Sequence, residues 1–314
     1  MARPLRIEYP GAFYHVTARG NERKDIFLDD SDREKFLSYL ETAFLRYKAA
    51  IHVYCLMSNH YHLLIETPEG NLSQIMRHIN GAYTTYVNSK RQRTGHLFQG
   101  RYKAILVEAD EYAGELSRYM HLNPVRAGIV TKPEDYDWSS YRYYLGKDKA
   151  PKWLTKKFIL KYFGGKTSRA QTAYQDFINA MSNKEYESPL QKTVASMILG
   201  NREFAEEIKG KYLEGKVPDR NLPALRQLKM TSVKDIEKEV EALFGKDTMR
   251  AKKASLYLCH TYSGRSLKEI GTHFHMGESA VSQASRRFRL MLKKDNRLKR
   301  NIHALCGKLN MCNV

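Results

Sequence analysis

Cysteine is scarce in this chain. There are four in 314 residues, Cys55, Cys259, Cys306 and Cys312, and none stands in a Cys-X-X-Cys pair. That spacing excludes a disulfide framework and a cysteine-built zinc site, and it reads as reduced thiols in a cytoplasmic protein. No apolar run approaches the roughly 18 residues that a membrane span needs. The opening Met1-Ala2-Arg3-Pro4 has no signal-peptide pattern, so no membrane partner is expected. Internal repeats and low-complexity segments are also missing. Acidic residues are few, 34 Asp and Glu against 53 Lys and Arg, which leaves a net charge of +19.

What is present is enough for two ordinary domains. Hydrophobic residues make up 42% and charged residues 28%, the balance of a protein with a real core. The charge is unevenly spread. Residues 1–150 hold 21 Lys and Arg against 18 Asp and Glu, whereas residues 151–314 hold 32 against 16. A near-neutral half joined to a basic half suggests a catalytic module attached to one that binds a polyanion, with nucleic acid the favoured partner.

The first half alternates strand and helix patterns. Residues 12–19 read as a strand broken at Gly20-Asn21. A helix capped by Ser31 or Asp32 runs through Phe36, Leu40 and Phe44. Residues 51–57 and 60–66 read as one strand or a pair bent near Ser58-Asn59. A second helix carries Leu72, Ile75, Met76, Ile79, Tyr83 and Tyr86, and residues 101–107 form a further strand. A third helix starts at Asp110 or Glu111 and stops before Pro124. That order predicts an α+β, ferredoxin-like domain over 1–145 with helices on one sheet face. Residues 131–141 read as a structured tail, 146–189 as tail and linker (with Gly164-Gly165-Lys166 and 182–189 as linker candidates), and 190–314 as an all-α domain.

Met57-Ser58-Asn59-His60-Tyr61-His62-Leu63 is the most informative stretch. In a strand, residues i and i+2 leave the same face, so His60 and His62 point together and Tyr61 points away. Two neutral imidazoles on one face suit a divalent metal. The competing reading is two polar residues on a solvated sheet face. Farther on, Tyr119 and Asn123 share a helix face, four residues apart. A metal pair with a tyrosine and an oxygen ligand is a site for cutting a phosphodiester. Tyr112 is the competing nucleophile, two turns earlier. His121 lies about 200° from Tyr119 around the helix and reads as packing or nucleic-acid contact, and His15 as structural. Arg91, Arg93, Arg101 and Lys103 with Tyr102 read as a groove of cations and a stacking ring, although a solvated loop accounts equally well for Arg91 and Arg93.

Near the far end, Ser266-Leu267-Lys268-Glu269-Ile270-Gly271 opens a short capped helix, His275-Met276-Gly277-Glu278 a turn, and residues 279–288 a second helix. This is helix-turn-helix grammar near 266–292. Leu267, Ile270, Phe274, Val281 and Phe288 are the expected core. Ser279, Ser282, Gln283, Ser285, Arg286 and Arg287 are the expected outward face, suited to base edges and phosphates. An ordinary helical hairpin is the plainer alternative.

With His60-Tyr61-His62 upstream and Arg118-Tyr119-Met120-His121-Leu122-Asn123-Pro124-Val125-Arg126-Ala127-Gly128 downstream, residues 1–145 resemble the single-tyrosine HUH transposases, and most of all the REP-associated tyrosine transposases. Pro10-Gly11-Ala12-Phe13-Tyr14-His15-Val16 and Phe98-Gln99-Gly100-Arg101-Tyr102 extend the likeness. The resemblance implies an enzyme of DNA transposition and recombination that cuts and rejoins single-stranded DNA beside hairpins. It makes Tyr119 the nucleophile, and His60, His62 and Asn123 ligands of Mg²⁺ or Mn²⁺. Relatives are monomers or homodimers. Residues 250–292 resemble the duplex-DNA-binding domain of the bacterial replication initiator, which implies a nucleoid-associated protein. Two other classes compete: an inactive regulator that recognises repeat hairpins, and a small-nucleotide phosphodiesterase that uses water.

Overall fold

A computed structural model describes residues 7–164, 166–182, 188–194, 197–213, 232–246, 248–263 and 265–309. Met1–Pro4, Gly165, Cys312 and most of the linker read at 182–189 lie outside those residues. The chain divides into two compact units, one of Arg6–Tyr212 and one containing Leu213–Val314.

The first unit is a mixed α+β structure on a five-stranded sheet. Its elements run β1 (Ala12–Arg19), α1 (Asp30–Tyr47), β2 (Ala50–Leu56), β3 (His60–Thr67), α2 (Leu72–Lys90), β4 (Lys103–Val107) and α3 (Ala109–His121). The sheet order is β2-β3-β1-β4, all antiparallel, with a parallel fifth strand beyond β4. This is the ferredoxin-like arrangement that the element order predicted. Residues 50–67 form two strands, not one bent strand.

The helices cover both faces of the sheet. Tyr61 packs on Phe36 of α1 and donates its hydroxyl to Asn80 of α2 at 2.6 Å. On the opposite face, Val53 and Leu64 pack with Ala113, Leu116 and Met120 of α3. The expectation of one covered face therefore misses half of the packing. Three helix ends also differ from the sequence reading. Asp29 caps α1, accepting from the Asp32 amide at 2.9 Å, and Glu108 precedes α3. Pro124 does not stop a helix but sits in the first turn of α4 (Asn123–Arg126), where its missing N–H costs no hydrogen bond.

The unit continues well past residue 145. After α5 (Tyr141–Leu145) and α6 (Lys157–Leu160), α7 (Thr167–Asn179) joins the face that α3 covers. Tyr141, Tyr144, Ile159, Tyr174 and Ile178 are fully buried in that core, and each isoleucine stabilises the fold by about 1.5–3 kcal/mol. Backbone pairing ties the same segment to the outer edge of β2, through Leu56 N to Trp138 O at 2.9 Å, Ser140 N to Tyr54 O at 3.0 Å and Thr155 N to Ile51 O at 2.8 Å. A sheet edge left bare would invite strand addition, and this one is covered. Strand β5 (Ile198–Leu199) pairs with β4 inside a region that reads as helical from the sequence. Two residues are too few to leave a periodic pattern. Helix α8 (Arg202–Leu213) ends the unit.

The second unit is all-α: α9 (Val233–Phe244), α10 (Met249–Tyr262), α11 (Leu267–His273), α12 (Glu278–Lys294) and α13 (Asn296–Lys308). Ile236, Val240, Leu258, Ile270, Val281 and Phe288 form its core.

An ionic clasp joins the start of α1 to the end of α2. Lys90 reaches Asp29 at 2.9 Å and Asp32 at 2.7 Å, and Arg91 pairs with both carboxylates. Asp32 is fully buried. Burial pushes its carboxyl up, but Lys90, the Leu28 amide and Arg91 outweigh that and hold it below the usual carboxylate range. A depressed folded pKa gives stability that is present above the unfolded value, about 4, and is lost as pH falls below it. Asp32→Asn is expected to lower stability by about 1–3 kcal/mol at pH 7 and to flatten the acid limb of the stability profile, both read from denaturant titrations.

Candidate active site

Strand alternation builds the site. His60 and His62 leave one face of β3 with their rings 5.0 Å apart, while Tyr61 is buried on the other. In the β1–β3 register Arg19 lies across from His60 and Thr17 from His62, so β1 presents His15 to the same face. His15 Nε2 and His62 Nδ1 are 2.9 Å apart. His62 is 6% exposed and His15 0%, so His62 is no part of a solvated sheet face. The sequence suggests a structural role for His15, and the residue touches an expected ligand. The signal for this was in the sequence, since β1 and β3 share the same two-residue period.

Helix α3 brings Tyr119 to these imidazoles. Its half-buried ring meets His62 edge-on at 5.8 Å and His15 at 6.3 Å. The Arg126 guanidinium lies over the same ring at 5.3 Å, a contact the sequence reading missed. Asn123 begins α4 one turn on, its amide nitrogen buried and unpartnered. Tyr112 packs beside the apolar cluster near the helix start. His121 is fully buried, between the Tyr174 hydroxyl and Ser140 Oγ at 2.8 Å each, so it is a packing residue and no surface contact.

Desolvation keeps these imidazoles neutral. Burial pushes His15 down to about 4 and His121 to about 3. Burial and then Arg19 take His60 to about 4, and burial with the neighbouring His15 and His60 holds His62 well below the usual range. Neutral imidazole is the metal-binding form.

The donor set fits a metal at His60. Asn59 spends its amide N–H on Arg23 O at 3.1 Å, so its Oδ1, 2.6 Å from His60 Nδ1, accepts from that nitrogen. His60 Nε2 is left with a free lone pair, the usual arrangement of a ligand held by an outer partner. When His62 donates to His15, its Nε2 is free in the same way. Among the described residues no group of three or more His, Cys, Asp or Glu is set to hold a metal. A centre on His60 and His62 therefore needs a ligand of another kind, and an amide such as Asn123 is the type available.

The expected groove residues divide. Arg101 and Lys103 are exposed, and Lys103 lies across from Thr17, on the histidine face. Tyr102 is only 7% exposed, which leaves no open ring face for stacking. Arg91 is held by Asp29 and Asp32, and Arg93 is partly buried.

In the second unit, Ser266 and Glu269 form a reciprocal cap on α11. A Cβ on Gly271 would meet Met276 O at 2.4 Å, so only glycine permits the close turn into α12. Ser279, Ser282, Gln283, Arg286 and Arg287 are exposed along α12. Ser285 is not: it is 5% exposed and bonded to His260 Nδ1 at 2.8 Å.

Residues 9–123 match the family described as "Transposase IS200 like". A putative REP-associated tyrosine transposase of Haemophilus influenzae is 24% identical over 142 residues, 42% of this chain and 80% of that protein. A solved structure, of a REP-associated tyrosine transposase bound to a REP hairpin, aligns at 16% identity with a TM-score of 0.42, over 49% of this chain and 92% of its own. The first half of the chain is thus similar to the REP-associated tyrosine transposases, as its motifs indicate. Among the described residues no helix is long and apolar enough to cross a membrane.

Imidazoles whose folded pKa is depressed give stability that is full above the unfolded value, about 6.5, and is lost as pH falls toward the folded one. The metal-free protein is expected to unfold at lower denaturant at pH 5 than at pH 7.5. His15→Phe should reduce that difference.

Proposed function

We propose that this chain is a transposase-type endonuclease that cuts and rejoins single-stranded DNA beside hairpins, with Tyr119 as nucleophile. The observation that carries this reading is the edge-on packing of the Tyr119 ring against the buried His62 and His15 imidazoles. A phenol beside a ligand-ready histidine pair is the chemistry of phosphodiester transfer.

His60, His62 and Asn123 would hold a Mg²⁺ or Mn²⁺ ion, which supplies Lewis-acid charge at the scissile phosphate when bound. In the cutting step the Tyr119 oxygen forms a bond to phosphorus and loses its proton. The bond from phosphorus to the 3′ oxygen breaks, and that oxygen takes up a proton as a free 3′-hydroxyl. The product is a 5′-phosphotyrosine that keeps the energy of the broken bond. Attack by a 3′-hydroxyl reverses the step and rejoins the strand. Lys103 and Arg101, exposed beside the histidine face, would carry the strand's phosphates.

The helices α11 and α12 fit a helix-turn-helix that tethers the nuclease to duplex DNA. Ser279, Ser282 and Gln283 would read base edges, and Arg286 and Arg287 would contact phosphates. Arg286→Ala and Arg287→Ala are each expected to weaken duplex binding across sequences and to lower the salt-dependence slope by about one, measured by fluorescence anisotropy at several salt concentrations.

The nuclease reading is tested with end-labelled hairpin oligonucleotides on denaturing gels. A metal-dependent protein–DNA adduct that is absent in Tyr119→Phe is expected. Cleavage that survives Tyr119→Phe would sink the covalent mechanism. Bound but uncut DNA across a broad set of oligonucleotides would favour a regulator that recognises hairpins.

A further inference from the structure

A continuous chain of hydrogen bonds runs through the core behind Tyr119, outside anything the proposed chemistry uses. The Tyr54 amide of β2 donates to Ser140 Oγ at 3.1 Å, and Ser140 Oγ lies 2.8 Å from His121 Nε2. His121 Nδ1 lies 2.8 Å from the Tyr174 hydroxyl, which donates to Ser117 Oγ at 2.9 Å, and Ser117 donates to Gly114 O at 2.7 Å. Ser117, His121, Ser140 and Tyr174 are each 0% exposed.

Read from the α3 end, one proton assignment gives every link in the series its hydrogen, with Tyr54 O a second, longer acceptor for Ser140 Oγ at 3.3 Å. Ser117 spends its hydrogen on the Gly114 carbonyl, so it accepts from Tyr174. Tyr174 has then spent its own hydrogen and must accept from His121 Nδ1–H. A neutral imidazole so arranged has a bare Nε2, which accepts the Ser140 hydrogen, and Ser140 Oγ accepts from the Tyr54 amide. Every donor and acceptor in the series has a partner, as a buried network requires.

The chain has a mechanical consequence. Apolar packing alone lets a helix slide or roll slightly, whereas hydrogen bonds fix both distance and direction. His121 lies about 200° around α3 from Tyr119, so these bonds hold the back of the helix while the tyrosine faces the histidines. Helix α7 adds a second hold, with the Arg118 guanidinium stacked at 4.0 Å on Phe177 and donating to its carbonyl at 3.3 Å. Both holds come from residues beyond position 123, where the family match ends.

We propose that Ser140, His121 and Tyr174 are positioning residues that set Tyr119 against the histidine pair, which makes residues 140–179 a working part of the nuclease. This rests on the reading of Tyr119 as nucleophile. Two conservative variants test it. Tyr174→Phe keeps the ring and removes one link, and Ser140→Ala removes the other. Each is expected to slow single-turnover adduct formation by about 10- to 100-fold, the scale of a small misplacement of a reacting group. Hairpin affinity should stay within about twofold, and the double variant should be little worse than either single one.

Hydrogen exchange on the metal-free protein supplies a readout independent of catalysis. Amides at Arg118–Asn123 should lose protection in both variants while those of β1 keep theirs. Wild-type protection at Arg118–Asn123 in both variants overturns the proposal, as do wild-type adduct rates. If the wild-type protein forms no adduct, the nucleophile reading fails, and the exchange comparison still decides whether this chain holds α3.

Discussion

The antiparallel β1–β3 ladder, with eight residue pairs from Ala12–Thr67 to Arg19–His60, decides which side chains can meet. Its two-residue period puts His15, His60 and His62 on one face and sends Tyr14, Val16 and Tyr61 to the other. A slip of one residue would drive Tyr61 into the site and both histidines against α1 and α2. The slip is blocked from both sides. Tyr61, Phe36 and Tyr83 interlock on one face, and Leu64 packs under α3 on the other. The hydrophobic core thus fixes the register, and the register delivers the site's chemistry.

Burial is what makes these histidines a group. At 0% and 6% exposure, His15 and His62 cannot both be charged 2.9 Å apart. The cost of an unpaired buried ion is far larger than that of a neutral ring, so the pair stays neutral and shares one hydrogen. The same pressure explains His121, whose two nitrogens both find hydroxyl partners. These two buried polar systems differ in completeness. The His121 series is satisfied from the Tyr54 amide to the Gly114 carbonyl, while His15 Nδ1 and Asn123 Nδ2 remain without partners. Closed polar networks hold structure, and open ones are where a further partner completes the count.

The features legible in the sequence were those with a strong period or a local motif. The alternation around His60 and His62, the apolar sets of α1 and α2, and the Ser266–Glu269 cap each depend on residues close together in the chain. Other features depended on partners that no local pattern names. Tyr102 reads as a stacking ring beside Arg101, yet the chain entering β4 buries it near Tyr61. Ser285 reads as an outward recognition residue, yet it shares the buried face of α12 with Val281 and Phe288 and bonds His260. Residues 146–179 read as tail and linker, although Ala170, Tyr174 and Ile178 stand four apart on the buried face of the 13-residue α7; only Ile159 sits in a helix too brief for a periodicity. Pro124 looked like a stop because a proline inside a helix breaks it, whereas a proline in the first turn does not.

The basic side chains sort by partner, and that sorting says more than the net charge. Lys90 and Arg91 are tied to Asp29 and Asp32, Arg118 to Glu115, and Arg142 to Asp148. Those charges are already neutralised within the fold and offer little to a polyanion. Among the described residues Arg19, Arg101 and Lys103 have no ion-pair partner, and all three are exposed at or near the end of the sheet that carries His60 and His62. Arg286 and Arg287 are likewise exposed and unpaired on α12. A field that attracts phosphate needs unpaired charge in the right place, so the near-neutral balance of the first 150 residues conceals a local cationic rim. Net charge by half-chain therefore hides this local arrangement: Asp29 and Asp32 are engaged holding α1 to α2, while Arg19, Arg101 and Lys103 stay unpaired near the histidines.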